Sequence, residues 1–501
     1  MPGAFRDIQF GFADAQKEGA EAPDLLLHGF LDRAGLIDEA LGGSAFLILG
    51  YKGSGKTAIA QRARLLAADD PELFVTAVAL DDFSYVEFNR FAGAPADPES
   101  RYPAAWTWLL LLSLIHSLEG EEAGCAAASG EFRQLCASLR ARGLLPVVDL
   151  KKLVLKSSKR TVRAMIPKLA EVSSERSFES QDVELFGIAQ VLRDAVLAFP
   201  TSSRHVVFVD GLDEVLAEPH LQSRVLATLM SETARINAAF AGEGKPFKIV
   251  ILCRTDLFDR LPGANKNKIR QDSSVVLDWF DDPADPDRTR LVQLVNLRAS
   301  RSLGRDTKVF DEFLPPRVDD RPVRRYLLDH TRHLPRDVLQ LLKSMQRFAD
   351  DAEPTRLTEP QVKSAIRAYS NGYFLPELRD ELHGYLDPAQ VDDFVVALTS
   401  LGRSRFTMQE LELGAAKLGL ASASLRNVMD VLFECSGVGM RDQGGGGPRY
   451  TFKYRNRAAR LLPDREIVVH LGAHKALNLE TGSGAPAARR RRGRRRPHAP
   501  P

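Results

Sequence analysis

AFLILGYKGSGKT, from Ala45 to Thr57, carries an apolar run straight into a glycine-rich turn and then into a helical pattern over Thr57 to Ala68. Within it, GYKGSGKT from Gly50 to Thr57 fits GxxxxGK[ST], and a strand before with a helix after is the context a phosphate-binding loop requires. Gly50, Gly53 and Gly55, with Ser54 between the last two, let the backbone curl so that its amides point inward at phosphate oxygens. The following helix adds its positive end. Lys56 is placed to reach the β- and γ-phosphates, Thr57 to put its hydroxyl on Mg²⁺, and Ala58 follows on the helix's first turn. The expected ligands are ATP and Mg²⁺, and the motif alone does not choose ATP over GTP.

Working outward, HVVFVDGLDEV (His205 to Val215) supplies an apolar strand ending in Asp210, a second Mg²⁺ ligand at the sheet edge beside the loop. Hydrolysis needs a carboxylate that orients water. Residue 211 is glycine, so that role falls to Glu214 or Asp213, which read equally as helix N-terminal acids matched to the dipole. KIVILCRTDLF (Lys248 to Phe258) ends its strand at Arg254, which stands where a γ-phosphate sensor would or else pairs with Asp256 or Asp259. HLPRDVLQLL (His333 to Leu342) places Arg336 at a helix start behind Pro335, as a lid arginine or a surface one.

Apolar runs at Ala45 to Gly50, Leu73 to Leu80, His205 to Asp210, Phe247 to Cys253 and Ser274 to Trp279 alternate with helical patterns at Gln181 to Phe199 and Leu221 to Phe240. Strands apolar throughout are buried on both faces, so the fold class is α/β, a P-loop NTPase parallel sheet. The expected organisation is an N-terminal segment over 1–43, the ATPase core over 44–285 with a helical insert at about 83–179, a helical lid over 286–385, a winged-helix-like domain over 386–480 and a disordered basic tail over 481–501. The insert, with Trp106 and Trp108, reads as a subdomain packed on the sheet rather than a ligand site of its own.

The winged helix is read from three helical patterns, Ala389 to Leu401, Met408 to Leu418 and Ser424 to Glu434, followed by GVGMRD and RYTFKYR joined through QGGGGP. Its third helix offers Arg426, and its wing offers Arg441, Arg449, Lys453, Arg455 and Arg457, enough for phosphate contacts but thin for base readout.

Net charge is +2, but RRRRGRRR at Arg489 to Arg496 holds seven arginines; removing seven charges from +2 leaves −5 for the rest. A mildly acidic body with a basic tail follows. Cys125, Cys136, Cys253 and Cys435 are scattered without CxxC spacing, which suggests neither a zinc site nor a disulfide framework and suits a reducing cytoplasm. The most apolar stretch, Trp106 to Leu118, is shorter than the roughly 20 residues of a membrane helix.

GYKGSGKT, FVDGLDE and the strand ending in CRTD resemble, in this order, the STAND and related AAA+-type signalling ATPases. With FGFADA (Phe10 to Ala15), HLPRDVLQLL, YTFKYRN and VVHLGAHKAL, the chain from Phe10 to Leu479 is similar to a bacterial family of such P-loop ATPases with a C-terminal winged-helix region. The resemblance implies an ATP-driven conformational switch of the sort used in bacterial stress or antiphage defence, with a homo-oligomer or an effector protein as its readout. It gives Arg254 the sensor role and Arg336 the second-sensor role. Two alternatives stand beside it: a DNA-associated ATPase similar to origin-recognition proteins, binding DNA through the winged helix and tail, and a phosphotransferase on the same cradle, for which no acceptor site is visible.

Overall fold

The computed structural model describes all residues except 1–3, 33–34, 81–82, 93–100, 148, 158–180, 213–218, 264–265, 282–287, 350–355, 384, 445–446 and 480–501. Asp213, Glu214, the end of the insert and the arginine tail therefore lie outside the described residues.

Five parallel strands, β1 (Leu47–Gly50), β2 (Leu73–Ala79), β3 (Arg204–Leu212), β4 (Phe247–Arg254) and β5 (Ser274–Leu277), form one sheet in the order β2-β3-β4-β1-β5. The apolar runs of the inner strands β1, β3 and β4 are nearly continuous because helices cover both faces, whereas the edge strands β2 and β5 are only partly buried. On one face Ile48, Phe208, Val250 and Leu252 meet Ile59, Ala60 and Ala63 of the phosphate-loop helix Lys56–Asp69. On the other, Leu49, Val207, Val209 and Ile251 meet the insert helices.

Among the insert helices, Tyr102–Glu119 is apolar all round, so it runs through the core rather than over it. Trp106 and Trp108 are fully buried there, their indole N–H groups donating to the Val225 carbonyl (2.9 Å) and to Ser157 Oγ (3.0 Å).

The strand order corrects one expectation. Asp210 does not end a strand adjacent to the phosphate loop: β4 lies between, pairing with β1 on one side (Gly50 opposite Arg254) and with β3 on the other. Arg254 therefore stands between Gly50 and Asp210 along the sheet's edge.

The first 43 residues are more than a lead-in. Helices Ala15–Glu21 and Pro23–His28 pack on the phosphate-loop helix. From there Glu18 forms a buried ion pair with Arg298 (2.7 Å) of the lid helix Arg290–Leu303, and Arg298 also donates to the Phe10 carbonyl (2.7 Å). The lid adds a two-residue ribbon, β6 (Arg317–Val318) with β7 (Arg321–Pro322), and helices Val323–Leu328, Pro335–Gln346 and Glu359–Tyr369.

The chain divides into two compact units, Met1–Ala365 and Ile366–Pro501. Residues 366–385, assigned to the lid from sequence, group with the second unit instead. Ser370 Oγ donates to the Gly472 carbonyl (2.6 Å) and accepts from the Ala476 amide (3.0 Å), while Phe374 stacks on His470 at 5.0 Å. Within that unit, helices Pro388–Ser400, Met408–Ala416 and Ser422–Glu434 accompany an antiparallel sheet of β8 (Arg405–Phe406), β9 (Val438–Gly444), β10 (Gly447–Thr451) and β11 (Glu466–Val469), the helices and strands of a winged helix. Its order, β10-β9-β11-β8, puts the returning wing strand at an edge and gives the pairing with β8 to β11, which composition had not marked as a strand.

Candidate functional site

Gly53 and Gly55 take φ of +83° and +99°, a region L side chains rarely enter, and a Cβ at Gly50 would collide with Ser54 Oγ. These three glycines are therefore required by the shape of the loop itself. The turn closes through the Ser54 amide on the Tyr51 carbonyl (3.0 Å), and Gly55 leads into the helix at Lys56. Lys56 is 4% exposed, and its ammonium donates to the carbonyls of Gly50 (3.2 Å) and Tyr51 (3.4 Å), so it lies along the loop's inner rim. Thr57 and Ala58 are half-buried on the first helical turn, and Ser54 Oγ is buried with no hydrogen-bond partner among the described residues.

At the end of β3 two residues, Asp210 and Gly211, face a single residue of β4, because the pairing runs Val209 to Ile251 and then Leu212 to Cys253. This β-bulge uses Gly211 at φ +83° and turns the chain just where the Asp210 carboxylate sits. Glycine at 211 is thus a backbone requirement. One Asp210 oxygen accepts from the Gly211 amide at 2.9 Å.

Arg254 closes β4 and forms a two-pronged pair with Asp256, Nε to Oδ1 and Nη2 to Oδ2 both at 3.0 Å. Burial alone would push the Asp256 carboxyl up, but the Arg254 charge and hydrogen bonds, helped by Arg260, hold it below the usual carboxylate range. The arginine is in place at the strand end, and its fork is on Asp256.

Arg336 comes to the loop from the lid. Its amide donates to the Gly53 carbonyl (3.3 Å), and a Cβ at Gly53 would lie 3.1 Å from Arg336 Cβ. Pro335 opens the helix, and behind it Arg332 pairs with Asp337 (2.8 Å), both almost wholly buried. That pair fixes the bend from which Arg336 projects. Trp279, just past β5, donates its indole N–H to the Ser54 carbonyl (2.9 Å), and Phe280 meets the His333 ring edge-on at 5.1 Å.

Gly50 to Ala58, Asp210 and Arg254 thus gather along the carboxyl ends of β1, β4 and β3, with Arg336 against the loop from the lid. Sequence reading missed Trp279, the Arg332–Asp337 pair and Glu18–Arg298. The residues fit a magnesium nucleotide: two hard oxygen donors, Thr57 and Asp210, suit a cation that completes its shell with water and phosphate. Bound there, Mg²⁺ would neutralise charge on the phosphates.

A family model described as the FunZ-associated C-terminal helical domain matches residues 289–375, the stretch that carries Arg298, Arg332 and Arg336 and is well short of half the chain. No curated protein sequence matches the chain. Among solved structures, the Aeropyrum pernix Orc1 protein in complex with DNA aligns with a TM-score of 0.36 at 15% identity, over 94% of this chain and 93% of that one. Cdc6p from Pyrobaculum aerophilum aligns at 0.29 and 11%, over 94% and 95% of the two chains. The Aeropyrum pernix Orc2 protein (ADPNP-ADP complexes) aligns at 0.28 and 11%, over 90% of each. Scores this low leave the functional argument to the chain's own residues.

Proposed function

We propose that the chain is a Mg-ATP-binding and -hydrolysing P-loop ATPase of the AAA+ or STAND kind that works as a nucleotide-controlled switch. The observation that carries this is Arg336 lying on Gly53, since it ties the lid to the loop that would hold the phosphates. In this reading Lys56 meets the β- and γ-phosphates, Thr57 and Asp210 hold Mg²⁺, and Glu214 or Asp213 orients water. Arg254 exchanges Asp256 for the γ-phosphate, and Arg336 reads nucleotide state for the lid.

The DNA-associated alternative draws less support from the second unit. Arg426 pairs with Glu412, Arg441 with Glu466 and Lys453 with Glu434, and the Arg455 guanidinium lies 5.8 Å from the centre of the Tyr454 ring, so at least four of the six cations named on its third helix and wing are engaged within their own domain.

Arg336→Ala is the direct test, measured by ATP turnover and by protease sensitivity of the lid with and without Mg-ATP. Turnover should drop at least tenfold, about 1.4 kcal/mol, and the nucleotide-dependent change in lid cleavage should vanish. Unchanged turnover together with an unchanged cleavage pattern would remove Arg336 from the switch.

A further inference from the structure

Successive carbonyls of the phosphate loop are held from outside it. The Gly53 carbonyl is taken by the Arg336 amide, and the Ser54 carbonyl by the Trp279 indole at 2.9 Å, a contact between residues 225 positions apart. Trp279 is itself held at a turn, where the Phe280 amide donates to Asp278 Oδ1 (3.1 Å) and the Phe280 ring rests against His333. The indole is a donor only, so it can do nothing at this position except fix an acceptor.

The Ser54–Gly55 peptide is trans, and a planar trans peptide sends its carbonyl and its N–H to opposite sides. Drawing the Ser54 carbonyl outward therefore turns the Gly55 amide toward the inside of the loop. Gly55 at φ +99° allows that orientation, and an inward amide at this position faces the α/β-phosphate zone of a P-loop. We propose that Trp279 is a positioning residue for phosphate binding, whose indole N–H presets the Gly55 amide before nucleotide arrives. The inference rests on the ATPase reading above. It adds that the strand leaving the sheet toward the lid, and not the loop sequence alone, sets the loop's affinity. Presetting a donor lowers the ordering cost that binding would otherwise meet.

The test compares the full wild-type chain with Trp279→Phe, which keeps an aromatic ring and deletes the donor, and with Lys56→Ala. Calorimetric titration with Mg-ATP and Mg-ADP, melting temperature and tryptophan emission are measured on each. Trp279→Phe should bind both nucleotides about three- to tenfold more weakly, the range of one net hydrogen bond, with its melting temperature nearly unchanged. Nucleotide affinity within twofold of wild type would overturn the inference, and so would a lower melting temperature with affinity retained.

The other two tryptophans, Trp106 and Trp108, are fully buried in the insert, and a nucleotide-dependent emission change present in the wild type and absent from Trp279→Phe reports Trp279. The wild type should show it and Trp279→Phe should not. If the variant does not fold, absence of that change in the wild type on saturating Mg-ADP overturns the proposal. Loss of binding in Lys56→Ala with full affinity in Trp279→Phe sinks this inference alone, whereas equal binding by Lys56→Ala and wild type sinks the ATPase reading with it.

Discussion

Strand β3 carries a polar cluster at each end, and the two are opposites. At its start His205 is 0% exposed and lies between Glu121 and Ser117, with Nε2 3.0 Å from Glu121 Oε2 and Nδ1 3.0 Å from Ser117 Oγ. A carboxylate only accepts, so Nε2 carries the proton and Nδ1 receives the Ser117 hydroxyl. Thr201 and Ser203 donate to the other Glu121 oxygen at 2.8 and 2.9 Å. Serine, histidine and glutamate in line have the composition of a hydrolytic triad, yet each is buried and the groups satisfy one another.

At the far end, Asp210 sits on a bulge at the sheet's carboxyl edge, half-exposed, with Arg254 between it and the phosphate loop. Burial and perturbed titration mark the first cluster, while access marks the second. The contrast shows that a shifted pKa identifies a site only when a ligand can reach it.

The contrast breaks most sharply by changing the acids at each end. Glu214→Gln should slow ATP turnover about a hundredfold to ten-thousandfold while nucleotide affinity stays near wild type, because glutamine keeps the shape and cannot accept a proton. Asp213→Asn measured alongside decides between the two acids: if it is the slow variant and Glu214→Gln turns over normally, the base moves by one residue. Normal turnover in both would leave the segment after Asp210 with a capping role only.

At the other end, Glu121→Gln should cost about 1–3 kcal/mol of stability in denaturant unfolding, since it weakens three buried hydrogen bonds, and should leave Mg-ATP affinity within twofold. A turnover defect with unchanged stability would mean that the two ends of β3 are coupled and the division is false.

The smallest effect is on pH dependence. Burial pulls His205 below its ordinary 6.5, against the upward pull of Glu121, so the folded chain takes up this proton at a lower pH than the unfolded chain. The stabilisation is complete above about pH 6.5 and drains as pH falls from there through the folded pKa. For Glu121, burial acts upward but is outweighed by hydrogen bonds from Thr201, His205 and Ser203, so its carboxyl titrates below the ordinary 4.5 and its contribution is lost lower still. Denaturant unfolding at pH 8 and pH 5.5 should show a loss in the wild type that shrinks in His205→Gln by up to about 1 kcal/mol. Equal losses in both proteins would assign the acid sensitivity elsewhere.

What could be read from the residues in order was local. GYKGSGKT specifies its own turn, and the inner strands announce themselves because burial on both faces leaves long apolar runs, LILG, VVFV and IVILC. Strand order is another matter, since nothing in FKIVILCR says that it threads between LILG and RHVVFVDGL. The two alternatives for Arg254 likewise needed the fold to show where its fork lies. Trp279 against Ser54, and Glu18 against Arg298, join residues 225 and 280 positions apart, and each looks unremarkable in its own neighbourhood. β11 escaped because EIVV is too short for alternation to tell strand from helix.

The Glu18–Arg298 pair has a consequence for solvent exchange. The Phe12 amide donates to Glu18 Oε2 at 2.8 Å, and the same carboxylate holds the lid helix through Arg298. Because Arg298 fixes the carboxylate that the Phe12 amide bonds, undocking of the lid helix should loosen that bond, so Phe12 deuterium uptake should rise and fall with the amides of 290–303 rather than with those of the helix at 56–69 on which its own segment packs. The beginning of the chain becomes a clock for the opening of a helix nearly three hundred residues away.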